Sequence, residues 1–264
     1  MVKYLHMKKY TIITRPDEDS LQLEMKLHKV LTAHDHLLDS TNPEIVFVVG
    51  GDGTFIYAVH HYLDQLENLC FYGIHTGTLG FYTDFKDSDF DEFLTKYLNG
   101  DTFEIKYPLL EVHEESNIYY AINEMRIENV VRTQEMDVYI NNQRFETYRG
   151  TGMCVSSQNG STAYNRSLGG AVLQEGLNLI EMCEIAGIHH KHYRSLSSPL
   201  VMSDTSVIRF ESDNFTNAIL GIDSDVYSID EASSITVQTS PTKTVRVLRG
   251  REISYFSRLQ SLFL

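Results

Sequence analysis

Basic residues are in short supply in this chain of 264 residues: 22 lysines and arginines stand against 36 aspartates and glutamates, a formal net charge of −14. That balance excludes wholesale binding to nucleic acid or to an anionic membrane, where affinity comes from cationic side chains. Cysteine is sparse as well. Cys70, Cys154 and Cys183 are an odd number, far apart, each inside an apolar run, which argues against a disulfide framework and reads as reduced core thiols. No run reaches the ~18 apolar residues that a membrane-spanning helix needs. The opening MVKYLHMKKYTIITRP is basic but has no long apolar centre and no small-residue cleavage site, so a cytoplasmic location is expected. Low-complexity tracts and internal repeats are missing too.

What is present is 42% hydrophobic residues, ample for a sizeable core in one large domain or two modest ones. The first hundred residues alternate strand and helix. KYTIIT (9–14), EIVFVV (44–49) and LCFYGI (69–74) read as strands, the second too apolar for a solvated face. Residues 20–34, 54–66 and 90–100 carry apolar side chains at helical spacing, and Gly100 is placed as a helix stop. Short connections in this order predict an α/β domain with a parallel sheet over 1–102. From about Phe103 the period becomes two, as in TFEIKYPLLEVH and EMDVYINNQRFETYRG, with Asn141-Asn142 as a hairpin turn. This predicts a mostly antiparallel β domain over 103–249, interrupted by helix from roughly Ser161 to Ala186. The helical stripe in YFSRLQSLFL suggests that 250–264 packs back on the first domain.

The stretch IVFVVGGDGTF carries the first chemical signal. Glycines after a buried strand let the backbone turn and approach a ligand closely, and the N–H groups opening the next helix suit a phosphate. Gly50, Gly51, Gly53 and Thr54 fit that use. Asp52 does not, because a carboxylate repels phosphate. Its presence is explained if it takes a proton from an attacking hydroxyl or helps position a magnesium ion; the plainer alternative is a helix cap. No Gly-Lys-Ser/Thr follows, so this is not a P-loop. Further on, Asn123 and Glu124 form an amide–carboxylate pair able to grip a base edge and ribose hydroxyls, or simply a polar strand end. GSTAYNRS supplies hydroxyls and one aromatic, Tyr164, at a helix start.

GGDGT resembles the loop of a superfamily of phosphoryl transferases that includes NAD kinases, diacylglycerol and sphingosine kinases, and 6-phosphofructokinases. GIHTGTLGFYTDF, YAINEMRIEN, YRGTGMCVSSQNGSTAYNRSLGG and EIAGIHHKHYRSLSSPLV, in this order, are similar to the bacterial NAD kinase family from about Asn42 to Asp225. The resemblance implies a two-domain NAD kinase-like fold and ATP-dependent phosphorylation of the 2′-hydroxyl of the adenosine ribose of NAD. By this analogy ATP, with Mg2+ or another divalent cation, lies along Gly50–Thr54, and Asp52 is the general base. Asp52, Gly53, Phe81, Tyr82, Asn123, Glu124, Arg149, Thr162, Ala163, Tyr164, Ser167, Ala186 and Ile188 would contact NAD between the domains, and no protein metal site is implied. The partners are NAD and ATP, with polyphosphate as an alternative donor, in a homodimer or homotetramer.

The chain departs from the family at Thr78, at Thr151 where an Asp is usual, at Ser157-Gln158-Asn159 in place of Thr-Pro-Thr/Ser, and at Ser224. These changes leave room for an altered acceptor preference, or for a weak or inactive nucleotide-binding sensor. A lipid or sugar kinase has only GGDGT behind it. His189, His190 and His192 lack a carboxylate or cysteine to complete a metal set and read as a solvated loop. Ser156, Ser157 and Ser161 have no triad partner at readable spacing.

Overall fold

The computed structural model describes residues 9–77, 80–189, 191 and 194–264. The chain forms two compact units, one from Met1–Tyr107 with Lys243–Leu264, the other from Pro108–Thr242.

The first unit is α/β. Its elements are β1 (Lys9–Thr14), α1 (Glu18–Ala33), β2 (Leu37–Leu38), β3 (Ile45–Val49), α2 (Asp52–His61), β4 (Cys70–His75), β5 (Phe85–Lys86), α3 (Phe90–Leu98) and the start of β6 (Phe103–Glu114). All pairings among β1–β5 are parallel, in the order β4-β3-β1-β2 with β5 also on β4. Every residue of IVFVV and CFYGIH is buried, as strands covered on both faces require. Helix α1 begins because Asp17 caps it, accepting the Ser20 backbone N–H at 3.1 Å, and it packs through Leu23, Leu27 and Leu31. In the core Tyr72 stacks on Phe93 with ring centroids 4.3 Å apart, while Phe47 meets Phe93 and Tyr97 edge-on. Gly100 adopts φ 68°, and its N–H closes on the Tyr97 carbonyl at 3.0 Å to end α3.

The helix expected over 54–66 is shorter, ending at His61 before a 3-10 turn at Leu63–Gln65. Tyr62 leaves the helical path, buried, with its hydroxyl donating to the Ser40 carbonyl at 2.9 Å.

The second unit holds β7 (Asn117–Ala121), β8 (Glu124–Glu128), β9 (Gln134–Ile140), β10 (Gln143–Gly150), β11 (Gly152–Ser157), α4 (Tyr164–Ser167), β12 (Leu179–Ile185), β13 (Leu200–Ser203), β14 (Ile208–Glu211), β15 (Ile219–Ile222), β16 (Asp225–Ser228) and the start of β17 (Ser234–Arg249). One sheet, all antiparallel, runs β13-β12-β11-β8-β15-β16. A second antiparallel set runs β10-β9-β14-β17. Their apolar faces build one core from residues such as Met125, Ile127, Met153 and Val155 with Met136, Val138, Phe210 and Ile235. Asn141 and Asn142 join β9 to β10 with φ of 51° and 66°, the left-handed pair that a two-residue hairpin demands.

The helix expected from roughly Ser161 to Ala186 is reduced to a single turn. A short 3-10 turn at Asn159–Thr162 leads into α4, and Leu179–Ile185 is strand β12, inside the sheet. Because β12 is buried on both faces, LIEMCEI shows no alternation that would have marked it as a strand. The end of β17 and helix α5 (Tyr255–Phe263), which Ser254 caps, belong to the first unit, where Val247 pairs in parallel with Phe71 of β4.

No described helix is long and apolar enough to cross a membrane. All three cysteines are free and buried, and burial pushes the thiols of Cys70 and Cys183 up to about 12, which keeps them protonated and unreactive.

Candidate active site

In the first unit the glycine loop leaves β3 and enters α2 directly. Gly50 sits at φ 153°, and a Cβ there would lie 2.5 Å from Thr54 Oγ1, so the tight return of the chain depends on the missing side chain. Gly51 is the N-cap of α2 and offers no side-chain cap. Gly53 is exposed and open, with no heavy atom within 4 Å of a Cβ placed on it. The first turn of this ten-residue helix is thus open at Gly53, and helix-opening N–H groups are of the kind that bind phosphate oxygens.

Asp52 is not the cap. It lies in the first turn of α2, and its carboxylate turns away from its own helix. Oδ2 accepts the Phe81 backbone N–H at 3.0 Å, and Oδ1 accepts that of Tyr82 at 3.2 Å. An ionised carboxylate has about four lone-pair positions, so two amides fix its orientation and leave capacity to receive a proton. Gly80 makes the approach possible, because a Cβ there would stand 2.2 Å from Asp52 Oδ1.

His75, at the end of β4, is a part of this site that sequence reasoning missed. It is 9% exposed, its Nδ1 is buried without a hydrogen-bond partner, and its Nε2 would lie 3.1 Å from a Cβ on Gly51. Burial holds its pKa below the usual imidazole value, with Asp52 pulling the other way. The only signal in the sequence was a lone histidine ending an otherwise apolar strand.

A buried ionic group supports the segment beside Asp52. Asp84 accepts from Arg249 Nη1 at 3.0 Å, from Arg258 Nη2, and from the backbone N–H of Gly250 at 2.9 Å. Asp84, Arg249 and Arg258 are each no more than 5% exposed. Removing one member of such a group costs about 3–5 kcal/mol, since the others stay charged and buried.

In the second unit Asn123 and Glu124 open β8 at a turn that Asp223 holds. The Asp223 carboxylate accepts the backbone N–H groups of Ile122 and Asn123 at 2.8 Å and of Glu124 at 3.1 Å. Its own N–H returns to the Glu124 carbonyl at 3.0 Å. Ser157 donates its hydroxyl to the Ile122 carbonyl at 2.6 Å and its N–H to the Asn123 carbonyl at 2.8 Å. Glu124 is 5% exposed, with Oε1 3.2 Å from Arg126 Nη1 and a buried Oε2 without a partner. Burial first, then the Asp223 charge, pushes this carboxyl up to about 7, against the pull of Arg126.

The GSTAYN segment packs against the same turn. A Cβ on Gly160 would fall 2.1 Å from the Asn123 carbonyl oxygen. Thr162 and Ala163 lead into α4, with the Ala163 N–H on the Gly160 carbonyl at 2.9 Å. Tyr164 donates its hydroxyl to Glu128 Oε1 at 3.1 Å, and the Arg126 guanidinium lies 4.8 Å from its ring centroid. Asn165, fully buried, bonds Glu181 at 2.7 Å and anchors the segment from beneath. Ser167 is exposed on α4.

Arg149, Ala186 and Ile188 form a separate cluster in this unit. Arg149 pairs with Glu135 across β9 and β10, and its carbonyl accepts the Ile188 N–H at 2.7 Å. Ala186 adopts φ 49°, and Ile188 is 43% exposed.

Two of the departures have internal side-chain partners. Ser157 staples the Asn123 turn, and Gln158 Oε1 accepts the N–H groups of Leu177 and Asn178 at 3.0 and 3.1 Å. Thr151 bonds through its backbone, to Ile185 and Asn129. Ser224 is exposed. Thr78, His190 and His192 lie outside the described residues. His189 hydrogen-bonds Ser197 at 2.9 Å and pairs with Glu184 at 3.1 Å. Among the described residues no group of three or more His, Cys, Asp or Glu could hold a metal ion.

A strand–glycine loop–helix holding one fixed carboxylate, on an α/β unit joined to an antiparallel β unit, marks a phosphotransferase. Residues 8–102 match the ATP-NAD kinase N-terminal domain and residues 122–249 match the ATP-NAD kinase C-terminal domain. The chain is 40% identical over 225 residues to an NAD kinase of Lactobacillus acidophilus, covering 83% of this chain and 84% of that protein. It is 35% identical to NAD kinase 1 of Bacillus subtilis, over 97% of this chain and 98% of that one. Among solved structures, yeast NADH kinase complexed with NADH superposes with a TM-score of 0.81 at 18% identity, over 97% of this chain and 87% of that one. An NAD kinase from Archaeoglobus fulgidus in complex with ATP gives 0.76 at 20% identity, over 96% and 99%. The chain belongs to the NAD kinase family. Its activity by this homology is NAD kinase activity, a phosphotransfer.

Proposed function

We propose that the enzyme transfers the γ-phosphoryl group of ATP to the 2′-hydroxyl of the adenosine ribose of NAD, with Asp52 as general base. The O2′–H proton passes to the Asp52 carboxylate as O2′ bonds to the γ-phosphorus, and the bond to the β,γ-bridging oxygen breaks to release ADP. The observation that carries this reading is the Asp52 carboxylate, held off its own helix by two backbone amides beside an open glycine loop. Orientation of this kind matters because phosphoryl transfer depends on positioning and charge neutralisation more than on covalent help.

Gly50, Gly51, Gly53 and Thr54 take the phosphates of ATP, which brings its own Mg2+ as part of the substrate. Asn123 and Glu124 hold the acceptor nucleotide, the unpartnered Glu124 Oε2 receiving a ribose hydroxyl. Phe81, Tyr82, Thr162, Ala163, Tyr164 and Ser167 complete the NAD contacts, with Arg149, Ala186 and Ile188 further along the dinucleotide. A homodimer or homotetramer in the cytoplasm is the expected working form, and light scattering measures the first part.

The test is NADP formation from NAD and ATP, wild type against Asp52→Asn. Loss of turnover on the order of 10²-fold or more with retained NAD binding supports the base. Undiminished Asp52→Asn turnover refutes it, and a wild type that binds NAD without turnover leaves a nucleotide-binding protein.

A further inference from the structure

The two amides that hold Asp52 belong to two consecutive peptide planes, and each plane is gripped at its other end by an arginine. In the first plane the Phe81 N–H donates to Asp52 Oδ2 at 3.0 Å, while the Gly80 carbonyl accepts from Arg258 Nη1 at 3.3 Å. In the second the Tyr82 N–H donates to Asp52 Oδ1 at 3.2 Å, while the Phe81 carbonyl accepts from Arg249 Nη2 at 2.7 Å. A trans peptide is rigid and points its N–H and C=O in opposite directions. Each plane therefore works as a short lever, with a cation on the carbonyl and the carboxylate on the amide.

We infer that Arg258 and Arg249 are positioning residues for the phosphoryl transfer, acting on Asp52 through the Gly80–Phe81 and Phe81–Tyr82 peptide planes. This rests on the reading of Asp52 as the base, and it names what keeps that base aimed.

Three features give the inference its weight. The arginines are locked: Asp84 bonds both, Arg258 Nη1 also donates to the Thr83 carbonyl at 2.6 Å, and Arg249 Nη2 also donates to the Tyr107 hydroxyl oxygen at 2.6 Å. They are buried, at 5% and 2% exposure, so solvent cannot replace them. The two hydrogen bonds of each plane also reinforce one another, because a charge on the carbonyl polarises the N–H on the far side. Gly80 carries no side chain, and none could be added without striking Asp52. Packing alone would not require two guanidinium groups on consecutive carbonyls whose paired amides meet the two oxygens of one carboxylate.

The experiment is a double-mutant cycle on the full chain. Arg258→Met is expected to lower kcat on the order of 10- to 100-fold, the scale of a small misplacement of a catalytic group, with KM for ATP and NAD nearly unchanged. Placed on Asp52→Asn, the same change is expected to cost no more than about twofold further, because its effect passes through the missing carboxylate. Arg258→Lys, which keeps the charge with a different donor geometry, is expected to recover part of the lost kcat. Should Arg258→Met not fold, Arg258→Lys and Arg249→Lys carry the same comparison of kcat with KM. Wild-type kcat in folded Arg258→Met, or a full loss repeated on Asp52→Asn, overturns the inference while the base reading stands. A fully active Asp52→Asn overturns both.

Discussion

Asn123 and Asp223, one hundred positions apart, meet in a 2.8 Å hydrogen bond from the backbone N–H of the first to the carboxylate of the second. With Ile122 and Glu124 bound to the same carboxylate, the turn that presents the amide–carboxylate pair is shaped by a residue from the distant turn between β15 and β16.

Asp223→Ala leaves three N–H groups at this turn without an acceptor and is expected to destabilise the protein by about 3 kcal/mol or more. Asp223→Asn keeps one carbonyl oxygen and removes the charge that, after burial, raises Glu124. It should cost less stability and bring the Glu124 pKa down from about 7. Chemical denaturation and the pH dependence of NAD affinity measure the two effects.

Glu124 has an ordinary value of 4.5 that the fold raises to about 7. The folded protein binds the extra proton between those values, so stability falls as pH rises through that window and the full cost is present above it. A change from 4.5 to 7 corresponds to roughly 3 kcal/mol. Glu124→Gln is expected to unfold at higher temperature than wild type at pH 8 in the absence of ligand. The gap should close near pH 4.5, and calorimetry at the two pH values reads it.

His75 works in the opposite sense. Its folded pKa lies below the ordinary 6.5, so the unfolded chain takes the proton first and stability is lost as pH falls below 6.5. Between pH 7.5 and pH 5.5 the Tm of His75→Gln should shift upward relative to that of wild type, because the variant lacks the loss that His75 causes. Wild type alone would hide this, because Glu124 compensates over the same range.

Gly80→Ala places a methyl 2.2 Å from Asp52 Oδ1. The carboxylate must move, so kcat is expected to fall on the order of tenfold or more while KM for ATP changes little. Gly160→Ala meets backbone, 2.1 Å from the Asn123 oxygen, and should instead lower Tm and weaken NAD binding. Steady-state kinetics and a thermal melt separate these two glycines.

The parts written in contiguous residues were legible. An apolar strand followed by glycines and one aspartate announced the loop, and alternation announced most strands of the second unit. What escaped was set by distance along the chain or by symmetrical burial. Asp223, Arg249 and Arg258 are charged residues in ordinary-looking segments, and their meaning arises only when folding brings carbonyls and amides to them. His75 looked like the end of a strand. LIEMCEI was read into a helix because both of its faces are covered, which erases the rhythm that marks a strand. Asp52 read as a proton acceptor or magnesium-positioning group, with a helix cap as the plainer alternative, and the cap option falls because Gly51 is the N-cap and the Asp52 carboxylate accepts from Phe81 and Tyr82.

The unit that carries the glycine loop is assembled from two stretches of chain, and its closing strand and helix are translated after the whole of the other unit. Until Val247 arrives to lie beside Phe71, β4 lacks that neighbour on a nascent polypeptide. An uncovered apolar strand edge is a template for wrong pairing. The ribosome therefore emits most of the glycine-loop unit first, the whole of the β-rich unit next, and only then the strand end and helix that complete the first unit.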